Sequence, residues 1–241
     1  MSLNIAHRGY SGNYPENTMT AFEKAVEEKC DGIETDVQLT KDGEMVLCHD
    51  ELLDRTTNGN GLLTNYSFDD LRKLNAASNF KTKHKDEKIP TLKELLDLAK
   101  DSGIMLNLEL KNSVIEYKGL EEKVTDMVHS YGLQDKVIIS SFNHYSIKKC
   151  KEISPDIKCG ILYDSVIYNV GSYAKALGAD ACHPNFYTLK PYIVEDIKKI
   201  GLKINTYTVN EEEYMEMMIN MGIDGIITNY PNLLREILRR K

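Results

Sequence analysis

In the segment Ile33-Glu34-Thr35-Asp36-Val37-Gln38-Leu39 the apolar residues are odd-numbered and the carboxylates even-numbered. The alternation recurs in Leu106-Asn107-Leu108-Glu109-Leu110-Lys111, with three leucines on one side and Asn107, Glu109 and Lys111 on the other. Successive strand side chains point to opposite faces, so Glu34 shares a face with Asp36, and Glu109 with Lys111. Ionised groups removed from water are costly unless they are paired or bound to a metal. Three carboxylates that converge are best explained by a cation, and their hard oxygens suit Ca2+ or Mg2+. A buried ion network with Arg8 and Lys111 is the competing reading of the same acids.

His7 closes the apolar run at the amino terminus and is followed by Arg8 and Gly9. His49 closes Met45-Val46-Leu47-Cys48-His49 and is followed by Asp50. Two histidines at strand ends suit an acid/base pair, because imidazole titrates near neutrality and can give or take a proton. A capping or merely hydrogen-bonded histidine is the alternative for either one alone. Arg8 offers a planar fork for a phosphate oxygen, and Lys111 a point charge for phosphate or for the acids. Phe142 and Tyr207, at the fourth and seventh strand ends, suit a wall against a substrate, and core packing serves equally well. His183, before Pro184 at the sixth strand end, is a pocket-lining candidate. His84 and His129 read as solvated, and His144 as a helix-start residue.

These groups need a frame, and the chain supplies one. Strand-like segments near 3–7, 32–39, 45–49, 104–111, 136–142, 157–163, 179–183, 202–208 and 224–228 alternate with helical patterns. The helices fall near 18–29, 91–101, 119–130, 144–153, 169–177, 190–199, 210–220 and 231–239. Their apolar residues recur at helical period, as in Leu92, Leu95, Leu96 and Ala99. Asn17 or Thr18, Thr91 and Asn210 are the expected caps. Alternating strands and helices imply a mainly parallel sheet. Repeats of about 30 residues in a chain of 241 fit an α/β fold, a single (β/α)8 TIM barrel. An open doubly wound sheet is the rival, disfavoured because Gly59-Asn60-Gly61 lacks the third glycine of a phosphate loop and leads into no helix. The whole chain, 1–241, reads as one barrel domain. Residues 51–90 break the rhythm and read as a small insertion after the second strand region, too polar for a core of its own and placed to cover the barrel mouth.

A net charge of −7 argues against a general nucleic-acid binder. The five cysteines include no Cys-x-x-Cys pair, so they read as reduced, mostly buried thiols rather than a zinc site. The first residues lack a basic region followed by an apolar run, and no apolar stretch is long enough to span a membrane, so the expected location is cytoplasmic.

The ordered series His7-Arg8-Gly9, Pro15-Glu16-Asn17-Thr18, Glu34-Thr35-Asp36, Thr40-Lys41-Asp42-Gly43, His49-Asp50, Glu109-Leu110-Lys111, Ser141-Phe142 and Thr208-Val209-Asn210 resembles the glycerophosphodiester phosphodiesterase family. The resemblance implies a barrel of the phospholipase-C-like phosphodiesterase type with a divalent cation, Ca2+ or Mg2+. It implies that His7 and His49 are the catalytic pair, that Glu34, Asp36 and Glu109 are metal ligands, and that Arg8 and Lys111 contact phosphate. The implied reaction converts a small-molecule glycerophosphodiester to sn-glycerol 3-phosphate and an alcohol. Two positions depart from the pattern: Tyr207 stands where Trp is common, and Asn229 where Asp is common. Tyr207 bears on alcohol or glycerol preference, Asn229 on packing or polarity around the site. A lysophospholipase D acting on single-chain lipids and a non-catalytic phosphodiester-binding barrel are the alternative functions.

Overall fold

The computed structural model describes residues 2–82 and 84–240. Its strands are β1 (Leu3–His7), β2 (Gly32–Leu39), β3 (Met45–Leu47), β4 (Met105–Leu110), β5 (Val137–Ser141), β6 (Lys158–Tyr163), β7 (Ala181–Pro184), β8 (Lys203–Thr206) and β9 (Gly225–Thr228). All except β3 pair in parallel with their neighbours, and a β1–β2 pairing closes the ring into an eight-stranded barrel. The helices are α1 (Met19–Glu27), α2 (Phe68–Leu71), α3 (Leu92–Ser102), α4 (Leu120–Tyr131), α5 (His144–Ile153), α6 (Val170–Leu177), α7 (Pro191–Lys199), α8 (Glu212–Asn220) and α9 (Pro231–Arg239). The expected TIM barrel is the fold found.

The strand alternation sorts the chain into two interiors. Ile33, Val37, Leu106, Leu108 and Leu110 belong to the apolar cluster that also takes Phe22 and Ala25 of α1 and Leu92, Leu95 and Leu96 of α3. Burying each such side chain contributes roughly 1.5–3 kcal/mol, so this layer holds the helices onto the ring. The even-numbered residues of β2 are buried as well. They sit on the other face of the strand, inside the barrel.

Helix ends follow local chemistry. Thr18 accepts from the Ala21 amide at the start of α1, and Thr91 forms a full capping box with Glu94. Gly103 and Gly132 end α3 and α4 at φ 73° and 67°, a left-handed turn that costs glycine little. The expected cap at Asn210 is not made. Helix α8 begins after Glu211, and the Asn210 Oδ1 instead accepts from the Asn229 amide at 2.9 Å. At the opposite, amino-terminal end of the barrel, Asp31, Asp180 and Asp224 accept from the amides of Asn4, Cys159 and Ile204 in neighbouring strands. This repeated device has a trace in the sequence, an Asp directly before Gly32, Ala181 and Gly225, that the strand and helix periods do not reveal.

Two expectations need correction. Strand β3 is no barrel strand. It runs back antiparallel along β2, with Val37 opposite Leu47 and Leu39 opposite Met45. The segment 51–90 has a small core, in which Val46, Cys48, Leu53, Leu63, Leu71, Ala76 and Ile89 pack together. Its leucines are too widely spaced to show a period, and β3 completes the cluster from outside the segment.

Candidate active site

Strand register brings the ionisable groups to one end of the barrel. His7 is the register partner of Glu34 across β1–β2, and Asp36 of Glu109 across β2–β4. Neighbouring strands lie about 4.8 Å apart, so side chains at these positions on the inner face must meet. One carboxylate oxygen from each of Glu34, Asp36 and Glu109 lies within 4.8 Å of the other two. The three residues are only 4%, 0% and 8% exposed.

This concentration of charge leaves its mark on protonation. Burial, then the charges of Asp36 and Glu109, push the Glu34 carboxyl well above the usual carboxylate range. Burial, then Asp36, push Glu109 up to about 7. Burial also works against the Asp36 charge, but Arg8, His49, Lys111 and a 2.9 Å hydrogen bond from Asn17 Nδ2 outweigh it and hold the group low. The buried Asp36 Oδ1 accepts no hydrogen bond from the described residues. An orphaned, fully buried carboxylate oxygen facing two further carboxylates is the donor set a hard dication fits.

Two cations flank the acids. Lys111 Nζ is 3.0 Å from Glu109 Oε1 and 4.0 Å from Asp36 Oδ1. Arg8 Nε lies 3.4 Å from Asp36 Oδ2, its Nη1 donates to Glu16 Oε1 at 2.8 Å, and its amide donates to Glu34 Oε2 at 3.1 Å. That amide is aimed by a left-handed backbone at Arg8, φ 54°, a conformation an arginine adopts only when its surroundings impose it.

The histidines reach the site by different routes. His7 ends β1. Its Nδ1 donates to Asn229 Oδ1 at 2.6 Å, which leaves Nε2 facing Glu34 Oε2 at 3.8 Å. Burial, then the Arg8 charge, lower its pKa to about 3, so the ring is neutral. His49 is not at the carboxyl end of a barrel strand as expected. The returning β3 hairpin lays it back beside the mouth, where the Cys48 amide donates to the Asp36 carbonyl at 3.0 Å. Gln38 fixes this return by donating from Nε2 to the carbonyls of Cys48 and Asp50 at 2.7 and 2.9 Å, and Tyr117 holds Gln38 in turn. His49 Nδ1 meets Asp50 Oδ1 at 2.6 Å, and Lys111 Nζ stands 3.2 Å from its Nε2. Asp50 stays ionised: burial pushes it up, but bonds from Arg55 and His49 bring it to about 2.

A cavity of about 170 Å³ joins these groups, lined by His7, Arg8, Glu34, His49 and Glu109 on one side and by Phe142, Leu162, Tyr207 and Ile227 on the other. Phe142 and Tyr207 meet edge to face, with ring centroids 6.0 Å apart, and the Tyr207 hydroxyl donates to the Tyr163 carbonyl. His183 does not reach this cavity. It is fully buried, its Nε2 faces Asn205 Nδ2 at 3.1 Å, and it fills the space left by Gly160 on the adjacent strand. Burial lowers its pKa to about 3, which makes it a neutral filler of the barrel. His84 is half-buried between the rings of Tyr14 and Phe80 rather than solvated. A larger cavity, about 330 Å³, opens at the amino-terminal end of the barrel, where the Asp31, Asp180 and Asp224 carboxylates serve backbone amides.

Several site neighbours escape a reading by strand period. Glu16, Asn17 and Asn229 each touch an ionisable group from loops that carry no strand period. The available signal for Glu16 and Asn17 was the motif Pro15-Glu16-Asn17-Thr18 itself.

Comparison with known proteins fits this geometry. The family model described as "Glycerophosphoryl diester phosphodiesterase family" matches residues 7–233. A protein of Caldanaerobacter subterraneus named glycerophosphodiester phosphodiesterase is 44% identical over 239 residues, covering 99% of this chain and 98% of its own. The structure of an Oleispira antarctica phosphodiesterase in complex with the product sn-glycerol-3-phosphate superposes with TM-score 0.88 at 31% identity, covering 98% of this chain and 96% of that one. A solved chain from Silicibacter pomeroyi, 24% identical with TM-score 0.91 over 100% of this chain and 94% of its own, shares the fold.

Proposed function

Because the chain belongs to the glycerophosphoryl diester phosphodiesterase family, we propose that it hydrolyses glycerophosphodiesters to sn-glycerol 3-phosphate and an alcohol, with His7 and His49 exchanging protons and Glu34, Asp36 and Glu109 holding a Ca2+ or Mg2+ ion. The observation that carries this reading is the convergence of three buried carboxylates, two of which, Glu34 and Glu109, line one small cavity together with both imidazoles. When bound, the cation supplies positive charge against the negative charge that grows on the phosphoryl oxygens.

The chain's own groups do the rest. Arg8 and Lys111 draw the phosphate towards the acids and offset its charge. His7, neutral and held by Asn229, takes the proton of the attacking hydroxyl at Nε2. That hydroxyl belongs to water or to C2 of the glycerol. The second route passes through a cyclic phosphate that water then opens. His49 gives a proton to the departing alcohol, with the ionised Asp50 opposite its Nδ1. Phe142 and Tyr207 form the apolar side of the cavity and keep water from the carbon skeleton of the substrate.

The test is a panel of glycerophosphocholine, glycerophosphoethanolamine and lysophosphatidylcholine, assayed with each cation for release of glycerol 3-phosphate and of free alcohol. Release of glycerol 3-phosphate from the first two is expected. Choline released from lysophosphatidylcholine alone would assign a lysophospholipase D, and binding of glycerophosphodiesters without any turnover would leave a binding barrel.

A further inference from the structure

Arg55 lies on the turn after β3, does not line the cavity, and has a side chain 47% exposed. It nevertheless commits all three guanidinium nitrogens to two carboxylates. Its Nε and Nη2 donate to Asp50 Oδ2 and Oδ1 at 2.6 and 3.1 Å, and its Nη1 and Nη2 donate to Glu16 Oε2 and Oε1 at 2.7 Å each. Exposed ion pairs contribute little to stability, so stability alone gives a weak reason for such an arrangement. Both carboxylates are one bond from the site. Asp50 Oδ1 meets His49 Nδ1 at 2.6 Å, and Glu16 Oε1 accepts from Arg8 Nη1 at 2.8 Å.

We propose that Arg55 is a positioning residue: one planar guanidinium clamps Asp50 and Glu16 together, and through them sets the ring of His49 and the fork of Arg8. The clamp has a mechanical reason. Asp50 follows His49 directly, and a side chain adjacent in sequence holds its neighbour only while its own rotation is blocked. Chelation of both Asp50 oxygens blocks that rotation. Glu16 comes from the loop after β1 and Asp50 from the turn after β3, so the clamp also fixes the two loops against each other. A lysine cannot make both forks, because its ammonium is a single point donor.

The inference rests on the hydrolytic reading, and its test separates the two. Arg55→Leu should lower kcat by about tenfold to a hundredfold, the penalty of a slightly misplaced catalytic group, with a smaller rise in KM as the Arg8 fork is released. Arg55→Lys should stay nearer to Arg55→Leu than to wild type. Arg55→Leu added to the pair Asp50→Asn and Glu16→Gln should be no slower than that pair alone, because the clamp acts only through these two carboxylates. A raised KM with kcat intact, full rescue by Lys, or a further loss when Arg55→Leu is added to the Asp50→Asn and Glu16→Gln pair would each overturn the clamp. If the wild-type chain hydrolyses nothing, the functional reading falls, and the clamp is then read from the His49 ring by 15N NMR. A hydrogen-bonded Nδ1 proton present in wild type and lost in Arg55→Leu supports it, and an unchanged signal overturns it.

Discussion

The ring of His7 and the side-chain carbonyl of Asn229 meet at 2.6 Å, joining the carboxyl ends of β1 and β9. Ser11 Oγ donates to the same carbonyl at 3.1 Å, and the Asn229 amide is held by Asn210. The acceptor is thus fixed on two sides, and the His7 tautomer with it. Asn229→Leu should lower kcat by about a hundredfold, within the range for a mis-set general base, while KM changes little. Asn229→Asp keeps the acceptor and should keep most of the turnover. Steady-state kinetics on glycerophosphocholine decide, and equal activity in wild type and the Leu variant would remove Asn229 from this role.

Removing either ring is the stronger perturbation. His7→Ala and His49→Ala should each lose about 10²-fold or more in turnover. The melting temperature should hardly change for His49→Ala, whose ring is 31% exposed. Near wild-type kcat in one variant would take that histidine out of the proton exchange.

Cation binding should be visible without any substrate. Glu34 is raised well above its ordinary value and Glu109 is raised to about 7. An acid whose pKa is higher folded than unfolded holds more protons when folded. Its contribution to stability therefore declines as pH rises from its ordinary value near 4.5 through about 7. Asp36, held low, acts oppositely and contributes stability that is lost only in acid, as pH falls through its depressed pKa. The chelated protein should therefore melt at lower temperature at pH 7.5 than at pH 5.5. Ca2+ or Mg2+ should reverse the loss, by about 2.7 kcal/mol at a hundred times the Kd. Glu109→Gln should abolish both the pH effect of that residue and most of the cation response. A melt indifferent to both cations at every pH would refute the cation site.

The alternation of β2 and β4 was legible because a strand has a fixed two-residue period, and two neighbouring parallel strands in register carry their acids to one level. Thr91 was legible as a cap, and the first cap was narrowed to Asn17 or Thr18, because capping is local. His183 misled for a physical reason. Periodicity tells which face a side chain takes but not its depth along the barrel, and that depth depends on Gly160, more than twenty residues away in sequence. His49 misled likewise, since an antiparallel return reads in sequence like any other strand. Arg55 carried no period at all; its partners come from loops that only the closed ring brings together.

The aromatic wall should govern substrate affinity more than chemistry. Phe142 is 38% exposed and packs on Tyr207, whose hydroxyl is tied to the Tyr163 carbonyl. Phe142→Ala opens the cavity on the side away from the acids, so KM should rise several-fold, with kcat less affected because no reacting proton is touched. Tyr207→Phe isolates the hydroxyl. Loss of one neutral hydrogen bond should cost about 1 kcal/mol of stability and leave kcat in place. A kcat collapse in Tyr207→Phe would instead place that hydroxyl on the substrate.

Gly160 tests the packing beneath the site. A Cβ there would run into the imidazole of His183, which is fully buried and backed by Asn205 on the next strand. The ring has no solvent to retreat into, so Gly160→Ala should destabilise the fold by about 1–3 kcal/mol, the usual range for an overfilled core. His183→Ala alone should also destabilise, because it leaves a void and deprives Asn205 of its partner. The two changes together should cost less than their sum, since the new methyl then occupies part of the vacated space. Denaturant unfolding of the three variants measures this. Strict additivity would mean that the ring yields to the methyl group and that His183 is not the tightly held filler its burial implies.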